Sequence, residues 1–271
     1  MADLYIIAAG KGSRMGGGVP KALIPIEEGI PNITNTLKQA QGLFDSIFIV
    51  TNKDVRAAWD KYYLDNVDVF PELFNSANNS APLVRFVSIS SGLGDGHAVL
   101  SALDEVKQSY RKDTVSNKMA IVWGDAFIRH RETFQEIIDI SQSRGHSDSV
   151  GFAPAVLEDN PYVSLLTDDE MKCMSADFSK YGESHPSGLH DQSVFFFDRE
   201  ILHKALRTLH NCFWKNGRYI TPGSELSLLH AFHYLYNTNM PLTVYQTEYP
   251  TMGFNTPSEV ADIQREIRKT W

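Results

Sequence analysis

Residues 4–21 read LYIIAAGKGSRMGGGVPK and join an apolar run to a glycine-rich loop that ends in Pro-Lys. The apolar run, residues 4–9, predicts a buried β-strand. In an open parallel sheet, ligands bind beyond the carboxyl ends of the strands, which is where this loop would begin. Gly10 and Gly12 let backbone N–H groups approach a phosphate, and Arg14 and Lys21 add two positive charges. The stretch therefore predicts a phosphate-binding loop in an α/β fold.

Two better-known glycine motifs do not fit this loop. A dinucleotide-binding fingerprint has a third glycine where Met15 stands, and an acidic residue after the second strand, where Thr51 and Asn52 stand. A P-loop has Gly-Lys-Ser/Thr at the start of a helix, whereas Lys21 follows a proline. A plain surface turn would account for the glycines but not for the cations Arg14 and Lys21 near its two ends.

Short apolar runs with strand character alternate with stretches of helical spacing. Strands are predicted at residues 4–9, 46–51, 84–89, 119–123, 149–156, 162–167, 193–197 and 241–246, and helices at 32–44, 54–63 and 97–110. This alternation predicts a three-layer α/β fold built on a Rossmann-like mixed, mostly parallel sheet.

Two later segments differ in how clearly they can be interpreted. Thr256 can cap a helix, Pro257 suits its first position, and Glu259 completes a capping box, so a helix should start here. Residues 169–191 have weak periodicity and predict loops and a small subdomain beside the sheet, on the acceptor side of the site.

The composition is that of a folded protein of enzyme size. Of the 271 residues, 42% are apolar, which is enough for a core without disulfide or metal staples. The net charge of -8 disfavours nucleic acid as a partner. The first apolar run is too short for a membrane span and follows Asp3 instead of a basic leader. We expect a cytoplasmic protein without a membrane partner, with Cys173 and Cys212 as free thiols.

The first loop also resembles the signature of a known enzyme family. Ala-Ala-Gly-x-Gly-Ser-Arg-Met, followed after four residues by Pro-Lys, is similar to the motif of the sugar-phosphate nucleotidyltransferases (MobA-like NTP transferases). Its spacing is most similar to the uridylyltransferase domain of bacterial N-acetylglucosamine-1-phosphate uridylyltransferase. The resemblance implies the glycosyltransferase-A-like fold of the nucleotide-diphospho-sugar transferases. It also implies that Arg14 and Lys21 are catalytic cations, and that the triphosphate is bound by Ala8, Ala9, Gly10, Lys11, Gly12 and Ser13.

A second glycine-rich segment, GLGDGHA at residues 92–98, follows the third predicted strand and opens a helix. It resembles the family's Gly-Thr-Gly-His-Ala segment, which lines the nucleotide base, and so implies nucleotide contacts for Gly94, Asp95 and Gly96. It differs at Gly92, where the family has a base-reading glutamine, and at Asp95, where it has threonine. An aspartate accepts hydrogen bonds only, which suits an exocyclic amine such as that of cytosine or guanine, but Asp95 also fits as a helix cap.

Two segments imply a magnesium site. The apolar strand pattern IVWGD ends in Gly124-Asp125, and the segment GFNTP contains Asn255. Magnesium takes few protein oxygens beside phosphates and water, so one carboxylate at the end of a strand can anchor it. The resemblance implies that Asp125 and Asn255 are the metal ligands, that Asp125 is catalytic, and that Gly124 contacts the nucleotide.

The acceptor side is less clearly marked. Asp191 and Gln192 stand where relatives have a sugar-contacting strand, and Glu225 opens a predicted apolar helix with residues 226–229. The resemblance implies acceptor contacts for these three residues, although Glu225 also fits as a first-turn helix acid. The Asp-Asp-Glu at residues 168–170 is similar to the metal motif of glycosyltransferases of this fold, and we interpret it as an exposed turn.

These observations lead to one functional hypothesis and two alternatives. We expect a magnesium-dependent nucleotidyltransferase of nucleotide-sugar biosynthesis that joins a nucleoside triphosphate to a phosphorylated sugar or a small phosphorylated alcohol or amino compound, releasing pyrophosphate. Residues 1–271 would form one domain, with a nucleotide-binding half (1–130) and an acceptor-binding half (131–271). We expect a stand-alone enzyme without the acetyltransferase half of bifunctional relatives. The first alternative is a glycosyltransferase of the same fold that uses a nucleotide sugar. The second is a non-catalytic nucleotide-binding regulator, which would keep the glycine loop but would not need Lys21 and Asp125, both of which are present.

Overall fold

The computed structural model describes residues 2–10, 12, 15, 19–27, 29–69, 83–90, 93–143 and 148–269. In these residues a ten-stranded mixed sheet carries helices on both faces. The strands are β1 (Asp3–Ile7), β2 (Pro25–Glu27), β3 (Ile30–Pro31), β4 (Ser46–Asn52), β5 (Leu83–Ile89), β6 (Lys118–Trp123), β7 (Ala126–Phe127), β8 (Gly151–Asp159), β9 (Val163–Thr167), β10 (Cys173–Phe178), β11 (Ser187–Asp191), β12 (Val194–Asp198), β13 (Trp214–Lys215), β14 (Arg218–Tyr219), β15 (Leu242–Gln246) and β16 (Met252–Gly253). Each of the eight predicted strands is confirmed, with ends that shift by a few residues.

The sheet changes character between its two halves. Strands β5, β4, β1 and β6 run parallel in this order. Strand β12 pairs antiparallel with β6 and leads to β8, from which β11, β9 and β10 continue by antiparallel pairing. Strand β15 runs parallel to β8. The predicted α/β class with a mixed sheet is confirmed.

Three layers arise because neighbouring residues of the central strands face opposite sides of the sheet. In β1, Tyr5 and Ile7 join one buried cluster, whereas Leu4 and Ile6 join the other. The first cluster is covered by α3 (Asp95–Ser109), α5 (Arg199–Phe213) and α6 (His230–Asn237), and the second by α1 (Asn32–Ala40), α2 (Arg56–Asn66) and α4 (Glu132–Gln142). None of the described helices combines the length and apolarity needed to cross a bilayer.

The predicted capped helix near the end of the chain is confirmed as α7 (Pro257–Arg268). The Glu259 amide donates to Thr256 Oγ1 at 3.3 Å, and the Thr256 amide donates to Glu259 Oε2 at 2.8 Å. Helix α7 packs in a small third cluster with Ile26, Phe127 and Phe254. This cluster anchors the start of α7 beside β7 and β16.

The prediction of loops for residues 169–191 is wrong. Strands β10 and β11 lie in this region, and both belong to the main sheet. Strand β10 ends the sheet order and buries only its terminal residues, Cys173 and Phe178, so no apolar run marks it. The prediction that an apolar helix begins at Glu225 is also wrong, because the helix in this region begins at His230.

The buried carboxyl group of Asp3 predicts a measurable pH dependence of stability. Its Oδ2 accepts a hydrogen bond from the Ser116 amide at 2.7 Å, while its Oδ1 is buried without a partner. Burial raises the pKa of Asp3 from 3.8 to about 6. The folded state therefore binds this proton more tightly than the unfolded state, and the stabilisation is lost as the pH rises from about 4 to about 6.

We expect the Asp3→Asn variant to lack this pH-dependent loss of stability. Over the same pH range, the unfolding free energy of the wild type should fall relative to that of the variant by about 2 kcal/mol. Urea unfolding at a series of pH values measures the difference, and a constant offset between the two proteins does not affect it. Parallel curves from pH 4 to 6 would contradict the prediction.

Candidate active site

A cavity of ≈ 900 Å³ lies beyond the carboxyl ends of the parallel strands β1 and β6. Both halves of the chain contribute to its walls, from the loop after β1 and the start of α3 to the antiparallel strands and the segment before α7. The polar, charged and aromatic residues that line it include Asp95, Trp123, Asp125, Glu158, Tyr162, Phe178, Lys180, His190, Asp191, Gln192, Thr251 and Asn255. The position is the one predicted for the ligand crevice of an open α/β sheet.

Three of the predicted site residues meet at one edge of this cavity. Lys21 Nζ donates to Asp125 Oδ2 at 2.7 Å and to Asn255 Oδ1 at 2.7 Å. The side chains of Lys21 and Asp125 are 19% and 31% exposed, so the cluster is shielded but reachable from the cavity. The structure thus brings together an ammonium group and two oxygens from three distant parts of the chain.

A short antiparallel ladder places Asn255 beside Asp125. Strand β16 pairs with β7, and the Phe254 amide donates to the Asp125 carbonyl at 3.1 Å. The capping glutamate Glu259 fixes the other side, because its carboxylate accepts a hydrogen bond from the Asn255 amide. Asn255 is therefore held between the ladder and the start of α7.

Asn32, which the sequence analysis missed, supports the turn that carries Asp125. It is fully buried at the start of α1, and its side-chain amide donates to the carbonyls of Gly124 at 3.0 Å and Ala126 at 2.9 Å. These two carbonyls flank Asp125, so one side chain fixes the backbone on both sides of the carboxylate. No sequence signal singled it out, because buried polar residues recur along α1 at Thr34, Asn35 and Thr36.

We expect Asn32→Ala to slow pyrophosphate formation about tenfold, because a catalytic group that loses its support no longer holds its geometry. Asn35→Ala is the matched control: Asn35 lies in the same helix, is also buried, and donates to the Ile128 carbonyl, away from Asp125. Both variants should lose about 1–3 kcal/mol of stability. Turnover measured well below both melting temperatures separates an effect on catalysis from an effect on stability. Equal turnover of the two variants would show that Asn32 does not position Asp125.

The first glycine loop is described in part. Ala9 and Gly10 line the cavity, and an added Cβ at Gly10 would meet nothing within 4 Å, so its backbone faces open space. Gly12 has a φ of +64°, and a Cβ there would lie 2.3 Å from the Val19 carbonyl oxygen, so the loop requires glycine. Ala8 is buried at the end of β1. The predicted residues Lys11, Ser13 and Arg14 lie outside the described residues.

The second glycine segment packs against the chain before α6. Gly94, at a φ of +102°, and Gly96 both approach the backbone of residues 226–228, which leaves no room for a Cβ. Asp95 Oδ1 accepts the Leu228 amide at 2.6 Å, and burial raises the pKa of Asp95. Gly94 and Asp95 line the cavity, whereas Gly96 is buried. Asp95 is the first residue of α3, not its N-cap, and its carboxylate joins the start of this helix to residue 228. Recognition of a base amine by Asp95 stays a prediction, and Gly92 lies outside the described residues.

The structure places two of the three predicted acceptor-side residues at the cavity. Asp191 and Gln192 line the cavity, but Glu225 is exposed and does not. Asp191 is 7% exposed, and its Oδ1 accepts the Ser193 amide at 2.9 Å. Burial raises the pKa of Asp191, and the nearby carboxylate of Asp125 adds to the rise. Gln192 Oε1 accepts the Thr251 amide at 2.9 Å and so joins this wall to the segment before β16.

Several lining residues were not anticipated from the sequence. Trp123 precedes the Asp125 turn, and Glu158 on β8 is paired with His190 on β11. Phe178 and Lys180 lie at and just after the end of β10, and the Lys180 ammonium lies 5.4 Å from the centre of the Phe178 ring. The last two were missed because their region was predicted as loops.

The acidic segment 168–170 forms a turn away from the cavity. Asp168 Oδ1 accepts the amides of Glu170 at 3.0 Å and Lys172 at 2.9 Å, and Tyr236 donates to its Oδ2 at 3.2 Å. These hydrogen bonds hold the pKa of Asp168 below its usual range. The carboxylate therefore closes the turn, as the sequence interpretation expected.

Asp125 and Asn255 fit a small divalent cation. Their oxygens lie at the same distance from a single nitrogen, so one ion can be reached by both, and both are hard oxygen ligands. Among the described residues, no group of three His, Cys, Asp or Glu side chains could hold a metal. An ion at this pair would complete its shell with phosphate oxygens and water, as magnesium does.

Comparisons with known proteins agree with this architecture. The family model of the MobA-like NTP transferase domain matches residues 4–148. The bifunctional protein GlmU of Burkholderia multivorans is 23% identical over 97% of this chain and 51% of its own length. GlmU of Trichodesmium erythraeum is 25% identical over 65% of this chain and 36% of its own length. The chain thus spans about half or less of the length of these curated relatives.

Solved structures share the fold at low sequence identity. UDP-glucose pyrophosphorylase complexed with UDP-glucose superimposes with a TM-score of 0.71 at 15% identity, covering 100% of both chains. HddC from Yersinia pseudotuberculosis gives a TM-score of 0.64 at 18% identity, covering 98% of this chain and 100% of the other. These likenesses confirm the predicted fold class.

Proposed function

Because the chain belongs to the MobA-like NTP transferase family, we propose that it joins a nucleoside triphosphate to a phosphorylated acceptor and releases pyrophosphate. The acceptor class is a phosphorylated sugar or a small phosphorylated alcohol or amino compound. The observation that carries the proposal is the convergence of Lys21, Asp125 and Asn255 beside a cavity large enough for two substrates. The UDP-glucose held by the solved pyrophosphorylase supports a nucleotide ligand for this fold.

The reaction demands placement and charge neutralisation more than acid-base chemistry. A phosphate oxygen of the acceptor forms a bond to the α-phosphorus, and the bond from that phosphorus to the bridging oxygen breaks, so that its electron pair leaves with pyrophosphate. The acceptor phosphate is ionised near neutral pH, so no general base is required. The side chains of the site therefore act by holding both substrates in line.

Lys21 is placed to neutralise the phosphates. Its ammonium stands at the cavity edge next to the loop after β1, where open space beside Gly10 can admit a triphosphate. A lysine is a compact positive charge on a flexible stem, suited to follow charge that develops on the α-phosphate and on the leaving pyrophosphate. We assign the same task to Arg14 at the other end of the loop.

We propose magnesium as the cofactor, held by Asp125 and Asn255. A bound ion would supply charge neutralisation between nucleotide and acceptor. Without nucleotide and metal, Asp125 binds the Lys21 ammonium, and Asn32 fixes the turn that carries Asp125.

The part of the cavity wall formed by the antiparallel half of the sheet would take the acceptor. Asp191 and Glu158 offer carboxylate oxygens to hydroxyl or amine hydrogens, and Lys180 offers a positive charge. Tyr162 and Phe178 add aromatic surface against which a sugar ring or an alkyl chain can pack. This wall is polar and mixed in charge, which suits a small polar acceptor.

The test is a matrix of four nucleoside triphosphates against a panel of phosphorylated sugars, alcohols and amino compounds, with magnesium. Pyrophosphate should form in at least one combination and should need both substrates. A strong preference for UTP would discard recognition of a base amine by Asp95. Release of nucleoside diphosphate from a nucleotide sugar, without pyrophosphate formation from any triphosphate, would instead support the glycosyltransferase alternative.

A further inference from the structure

We infer that the Lys21 ammonium occupies the cation position between Asp125 and Asn255 until a nucleotide binds, so that the free protein binds a divalent cation poorly. This inference rests on the proposed function, which assigns the same two oxygens to a metal ion. It adds an order of events: the phosphates must draw Lys21 away before the pair can hold the ion.

The first step of the argument is that the two cations exclude one another. Lys21 Nζ lies 2.7 Å from Asp125 Oδ2 and 2.7 Å from Asn255 Oδ1, and so already uses lone pairs of both oxygens. A magnesium ion would approach the same oxygens to about 2.0–2.1 Å. Two positive charges on one pair of oxygens would lie within a few ångströms of each other in a shielded site, where their repulsion is strong.

The second step is that Lys21 is free to leave. None of the described residues gives its ammonium a third acceptor, although an ammonium carries three N–H donors. Its side chain is 19% exposed and extends from a short 3-10 turn, Lys21–Leu23, directly after the glycine loop. A triphosphate in that loop would offer several anionic oxygens within reach of the flexible lysine stem.

The consequence is a site that is closed to metal in the free protein and opened by the nucleotide. The carboxylate never lacks a positive partner: Lys21 neutralises Asp125 before binding, and the ion does so afterwards. The Lys21 ammonium then neutralises the phosphates of the nucleotide. One lysine thereby couples metal binding to nucleotide binding.

The experiment is a titration of the nucleotide-free protein with Mn²⁺, followed by electron paramagnetic resonance of the unbound ion. Lys21→Met should bind Mn²⁺ at least about tenfold more tightly than the wild type, because the methionine has similar length but no charge. Lys180→Met is the matched control, since Lys180 lines the same cavity, and among the described residues neither Asp125 nor Asn255 contacts its ammonium. The same loss of charge there should change the affinity less than about threefold. Lys21→Arg, which keeps the charge, should stay close to the wild type.

Equal affinity of Lys21→Met and the wild type would overturn the inference, and so would an equal gain in Lys180→Met. If the Lys21→Met protein does not melt cooperatively, the titration uses Lys21→Ala instead. Pyrophosphate formation by the wild type is measured separately, so a failure of the proposed function is told apart from a failure of the lysine exchange.

Discussion

Asp125→Ala should lower the rate of pyrophosphate formation by about 10²-fold or more, the loss typical of removing one preorganised charge-stabilising group. The carboxylate carries the negative charge of the Lys21–Asp125–Asn255 cluster. Without it, a metal ion at the site would keep only one protein ligand, so less positive charge would be held against the reacting phosphates. Steady-state kinetics at saturating magnesium measures the change.

Asp169→Ala is the control for this variant. It removes one carboxylate from the exposed turn at residues 168–170, which is the metal motif of the glycosyltransferase alternative. Its turnover should match that of the wild type. If a folded Asp125→Ala protein released pyrophosphate at the normal rate, the assignment of Asp125 would be refuted.

Lys21→Ala should also lower turnover by about 10²-fold or more, because the ammonium would follow the charge that develops on the phosphates. The effect belongs in kcat more than in KM, since a group that acts mainly on the transition state lowers kcat and kcat/KM together. Single-turnover measurements with preformed nucleotide complex isolate that step. The same substitution should leave the metal site open, so loss of turnover would accompany tighter metal binding.

Lys204→Ala is the matched control, because Lys204 is an exposed lysine on helix α5 and does not line the cavity. It should leave turnover unchanged. A folded Lys21→Ala protein with wild-type kcat would show that Lys21 takes no part in the chemistry. A rise in KM at constant kcat would limit Lys21 to holding the nucleotide equally in the ground and transition states.

Local features of the fold were predictable because their physical causes act over a few residues. Alternating or continuous apolar runs marked the strands that are buried on both faces, such as β1, β4 and β6. The capping box of Thr256 and Glu259 marked the start of α7. Strand β10 was not predicted because it is an edge strand whose middle residues are only half-buried, so its sequence has no apolar run. It is held in the sheet by its antiparallel hydrogen bonds to β9.

The glycines at 94 and 96 have a packing role that the sequence did not indicate. Their position at the start of a helix suggested contact with the nucleotide, and Gly94 does line the cavity. The missing side chains, however, make room for the backbone of residues 226–228, which approaches to under 3 Å of where a Cβ would stand. The sequence around these glycines shows no pattern that would predict contact with a segment more than 100 residues away. The predicted helix at residues 226–229 failed for the same reason, because this segment pairs with residues 93–97 instead.

The sequence by itself determined eight of the ten strands of the main sheet, the helices α1, α2, α3 and α7, the presence of a glycine loop ending in a lysine, and the residue types able to handle phosphate. Hydrophobic periodicity, caps and backbone freedom are local properties, so they can be seen in one chain. Only the tertiary structure decided that the ammonium of Lys21 lies between Asp125 and Asn255, and that Asn32 holds the turn between β6 and β7. These contacts join residues 92 to 234 positions apart and depend on a ladder of two short strands too brief to carry a pattern of their own.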